Sequence, residues 1–66
     1  METKHRQSLL VEIERLVVEA KSGLHGGRPF LEGLHYGLTL AGLMADPEVK
    51  QSWTCGEMLA AQRDSD

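Results

Sequence analysis

An acid three residues before a histidine is the raw arrangement of a general base, and Glu32 and His35 supply one. The carboxylate would orient the imidazole and raise its affinity for a proton. Tyr36 and Thr39 follow at the spacing that places all four side chains on one helical face. Catalysis would also require a nucleophile in register, a second carboxylate with a role and an enclosing cavity, and the sequence specifies none of them. The face is read as the wetter side of a packed helix, and no catalytic residue is assigned.

Two other groupings suggest chemistry. His25, His35 and Cys55 could each ligate zinc, but structural zinc sites usually carry ligands in pairs about two to five residues apart, and no such pair occurs. No metal or cofactor is expected. His25-Gly26-Gly27-Arg28-Pro29 precedes a helix start, where exposed N–H groups and the positive end of the helix dipole attract anions. Its glycine spacing fits neither the dinucleotide fingerprint nor the P-loop. An oligomeric nucleotide- or anion-binding protein using His25 and Arg28 is therefore a further alternative.

These residues must be carried by helices. Over about residues 3–22, Leu9, Leu10, Ile13, Leu16, Val17 and Ala20 fall within roughly 120° of a helical wheel, with Glu12, Arg15 and Glu19 elsewhere. Gly23, Gly26 and Gly27 end this long first helix and form a glycine-rich joint. Pro29 suits the first turn of a second helix, about 29–45. Asp46 before Pro47 is an N-cap followed by a favoured first residue, which starts a third helix over about 47–62. Gly56 costs that helix about 1 kcal/mol relative to Ala. Val49, Trp53, Gly56 and Ala60 share one of its sides, with Gly56 read as letting a neighbour approach Trp53. The expected fold is all-α, one small domain spanning 1–66, with the second and third helices tightly paired and lying back on the first.

The second helix carries Gly33, Gly37 and Ala41 at every fourth position, with Ala45 beyond, which predicts a ridge for close backbone approach. Leu31, Leu34 and Leu38 lie beside it. A chain of 66 residues buries only about 60% of its unfolded surface, and its single cysteine excludes an intrachain disulfide. Company of its own kind is the expected remedy: an intertwined or side-by-side homodimer, self-associating through Gly33, Leu34, Gly37, Leu38, Ala41 and Trp53.

A net charge of −3 argues against a protein that grips phosphates, so nucleic acid is an unlikely partner. Lys4, His5 and Arg6 stand ahead of a short apolar run, but Glu12 and Glu14 interrupt it too early for a secretory signal. No run reaches the roughly 20 apolar residues of a membrane span. A cytoplasmic protein with no membrane contact is expected, in keeping with one unpaired thiol.

The remaining oddities point to a protein partner. Val11 and Val18, seven residues apart, face away from the main apolar arc, and Lys4 and Arg6 have the wrong sign for a helix N-terminus, which an acidic partner surface would offset. Arg28, Tyr36 and Met58 complete the candidate contacts. The expected function is a non-catalytic interaction module that binds and modulates a larger protein. In size, charge and helix content the chain resembles the accessory inhibitors and adaptors that phages and plasmids encode. The alternative is a helix-turn-helix-like DNA-binding regulator presenting Lys50, Gln51, Ser52 and Thr54, with Glu48 and Glu57 flanking them unfavourably.

Overall fold

The computed structural model describes residues 3–64; the two residues at either end of the 1–66 span lie outside the described part. It is an all-α domain of three helices, α1 (Thr3–Lys21), α2 (Arg28–Leu40) and α3 (Pro47–Asp64), with 3-10 turns at Leu24–Gly26 and Leu43–Ala45 between them.

The apolar arc of α1 becomes the core. Ile13, Val17 and Ala20 are no more than 2% exposed, and Leu9 and Leu10 pack half-buried beside them. Past Lys21 the chain turns through left-handed backbone, at Gly23 (φ 99°) and then at His25 itself (φ 59°). His25 is held there on two sides. Its Nε2 lies 2.8 Å from Glu19 Oε1, and its ring lies 5.2 Å from that of Phe30. Gly27 then caps α2, and Pro29 sits in the first turn, where a missing N–H costs nothing.

The second helix stops five residues before the expected position. Gly42 adopts φ 76°, and its N–H and that of Ala41 donate to the Thr39 and Gly37 carbonyls, each at 3.0 Å. This closes the helix with a left-handed cap. Leu43 and Met44, which continue the apolar spacing in sequence, instead fold back in the 3-10 turn and pack against the core. The start of α3 is as expected: Asp46 Oδ1 accepts the Glu48 N–H at 2.9 Å.

The helix pairing differs from the expectation. The main interface is α1 against α3, α2 touches α1 lightly, and the backbones of α2 and α3 do not approach each other among the described residues. Arg6 meets Asp46 and Glu48, Gly56 lies over Glu14 and Val17, and Lys21 reaches Glu57. Position along α1 therefore rises with position along α3, so these two helices run parallel and α2 returns in the opposite direction alongside α1. Close approach does occur at Gly56, but toward Val17 rather than Trp53. A methyl group there would stand 2.8 Å from Val17 Cβ and 2.9 Å from the Glu14 carbonyl oxygen. Val17 and Val49, the largest side chains buried completely, contribute about 1.5–3 kcal/mol each.

The small-residue ridge of α2 plays no part in this packing. Gly33, Gly37 and Ala41 are exposed, and added methyl groups at the two glycines would meet nothing within 4 Å. The apolar side chains beside the ridge turn inward instead: Leu38 is buried, and Leu31 and Leu34 are half-buried against the core.

Candidate functional site

Because α2 and α3 stand apart, a groove of about 570 Å³ opens between them. The α2 wall is Arg28, Leu31, Glu32, His35, Tyr36 and Thr39, one face of the helix repeating every three or four residues; Trp53 and Glu57 of α3 and Lys21 at the end of α1 complete it. The Glu32, His35, Tyr36 and Thr39 face read from sequence as the wetter side of α2 is thus one wall of a cleft.

Three features set its chemistry. His35 and Trp53 meet edge to face, with ring centroids 5.2 Å apart at 76°, which bridges the cleft with an aromatic pair. Tyr36 beside them is 66% exposed. The upper rim carries two ion pairs, Arg28 with Glu32 and Lys21 with Glu57, each at 3.6 Å between charged atoms. All four partners are well exposed, so these pairs contribute little to stability. The Thr39 hydroxyl donates to the His35 carbonyl of its own helix at 2.8 Å. Among the described residues no group of three or more His, Cys, Asp or Glu side chains converges as a metal would require.

The other residues singled out from sequence divide among several places. Val11 and Val18 line a shallow depression of about 360 Å³ with Glu14, Arg15, Glu19, Leu59 and Arg63, formed by α1 and α3 alone. Leu59, exposed on α3, was not foreseen there. Lys4 lies beside Val11, and Met58 is exposed apart from both depressions. Arg6 is already occupied: it bonds Asp46 and stands 3.6 Å from Glu48 Oε2. The hydrogen bond from Arg6, then the backbone bond from Glu48, holds the Asp46 carboxyl below its usual range. The acidic surface expected to offset the basic start of α1 thus includes two carboxylates of this same chain. At the start of α2, Glu19 engages His25 and Glu32 pairs with Arg28, the first residue of the helix; the hydrogen bond from His25 in turn lowers the Glu19 pKa.

On α3, Lys50, Gln51 and Thr54 are exposed and Ser52 is half-buried, while α2 does not pack across α3 as the first helix of a helix-turn-helix does. No described helix is long and apolar enough to cross a membrane. Set against protein-family models, curated proteins and solved structures, the chain has no significant match to any of them.

Proposed function

We propose that this protein is a non-catalytic interaction module, an accessory inhibitor or adaptor of the phage or plasmid type that binds and modulates a larger protein in the cytoplasm. The observation that carries this reading is the open groove between α2 and α3, walled by Trp53, His35 and the exposed Tyr36. Aromatic side chains standing half in water at the edge of a cleft gain most by burying against a partner, and they dominate the energetics of protein interfaces. Exposed Val11, Leu40 and Met58 add apolar surface elsewhere that a solitary chain leaves wet.

Self-association belongs to the same proposal. The outer face of α2 offers Gly33, Gly37 and Ala41 with Tyr36 and Leu40 alongside, a surface on which a second α2 could lie closely. Because a methyl group at Gly37 would meet nothing within 4 Å among the described residues, Gly37→Leu should leave the helices intact by circular dichroism while converting a dimer to a monomer in sedimentation equilibrium. A wild type that is monomeric at high micromolar concentration removes the dimer.

Affinity purification from the native cell, read by mass spectrometry, tests the function. A single protein recovered in stoichiometric amount supports it. Recovery of none, with salt-sensitive duplex binding in mobility shifts, moves the function to DNA regulation.

A further inference from the structure

The groove has an order along its length. His35 and Trp53 stand at one level, since their rings touch, and α3 runs antiparallel to α2. One turn nearer the α1–α2 connection therefore lie Glu32 on one wall and Glu57 on the other. Beyond them, at the connection itself, lie Arg28 and Lys21, each within 3.6 Å of the carboxylate below it. From the connection inward the cleft thus reads two cations, two carboxylates, then an aromatic level with Tyr36 at its edge. Both walls repeat the same sequence of charge, so the order belongs to the groove rather than to one helix.

We infer that the groove receives an amphipathic helix of the partner protein that presents an acidic residue to Lys21 and Arg28, a basic residue one turn further to Glu32 and Glu57, and a large apolar residue one turn beyond that to His35, Tyr36 and Trp53. The inference deepens the interaction reading above and rests on it. Helical spacing matches the spacing of the walls, because the groove's own levels are set by helices: acid at i, base at i+4 and apolar at i+7 or i+8 meet successive levels. The exposed rim pairs give up weak mutual contacts for equivalent ones across the interface, and the apolar residue covers the aromatic pair, where most of the affinity arises. An occupant with acid and base exchanged sets like charges against both walls, which costs specificity at every rim contact.

Trp53 is the sole tryptophan, so its emission reports the groove directly. The probe is a panel of stapled helical peptides of one composition: two carry acid, base and leucine in matched order, one for each chain direction, and two have acid and base exchanged. At low salt, one matched peptide should shift Trp53 emission and bind at least tenfold more tightly than its exchanged counterpart. The preference should vanish in the double variant Arg28→Glu, Glu32→Arg, which leaves one charge of each sign at both levels because Lys21 and Glu57 keep their order. The Arg28 and Glu32 side chains are 90% and 73% exposed, so the exchange leaves the fold intact, which circular dichroism checks. Equal binding of matched and exchanged peptides, or emission unchanged by any of them up to millimolar concentration, overturns the inference. A cellular partner held equally by wild type and the double variant also overturns it, while leaving the interaction function standing. Matched-order binding with no cellular partner has the opposite meaning: the groove assignment holds and the interaction function fails.

Discussion

The α1–α3 interface and the α2–α3 groove are built from the same α3 and differ in one residue type at the point of approach. Where α3 meets α1, Gly56 removes a side chain and the helices close until Val17 fills the space. Where α3 faces α2, Trp53 and His35 hold the helices apart as a strut, and the cleft around them remains open. A small residue buried between helices closes a contact, whereas small residues on the outside, as at Gly33 and Gly37, close nothing by themselves. Stability is concentrated on one side of α3 and open, solvent-exposed surface lies on the other.

Substitutions in pairs sharpen this contrast. Val17→Ala empties the centre of the closed interface and should cost about 2 kcal/mol in urea denaturation, while Tyr36→Ala at the groove edge should stay within about 0.5 kcal/mol; comparable losses would mean that the groove wall is part of the core. Gly56→Ala drives a methyl group into Val17 and the Glu14 carbonyl, an overpacking cost of about 1–3 kcal/mol that exceeds the gain in helix propensity. The same change at Gly33 meets open space and should stabilise by about 0.5–1 kcal/mol. If both alanines destabilise, the outer stripe is a buried contact after all, formed with another molecule.

The smallest effect lies at the ends of the helices. Asp46 titrates lower in the folded chain than in the unfolded one, first because of its bond with Arg6, and Glu19 does so because of His25. Their contribution is complete above the unfolded carboxylate values, roughly 4, and is lost as pH falls through the lower folded values. Melting temperature should therefore drop in the acid range below pH 4. Asp46→Asn, which retains a capping oxygen but no charge, should flatten part of that drop.

Elements whose cause is local were legible in the sequence. The buried arc of α1 through Ile13, Val17 and Ala20 follows from periodicity, and the start of α3 follows from Asp46 and Pro47. The end of α2 was not, because Leu43 and Met44 prolong the apolar spacing across Gly42, and only the cap geometry shows that the helix has already closed. Pairing was also hidden. The Val49, Gly56 and Ala60 face was evident, but periodicity states that a face is buried without saying against which helix. The groove was half visible: its α2 wall was read as one polar face, whereas Lys21, Trp53 and Glu57 reach it from elements far away in sequence. Arg6 and Asp46, forty positions apart, meet only because α1 and α3 run in the same direction.

That shared direction also fixes where the chain enters and leaves. The described part measures 37 Å along its longest axis, and Thr3 and Asp64 lie toward opposite ends of it. Copies joined in tandem by short linkers would line up like beads on a rod, every cleft opening with the same polarity. A partner bearing repeated helices could then engage several beads at once, gaining avidity from effective concentration alone.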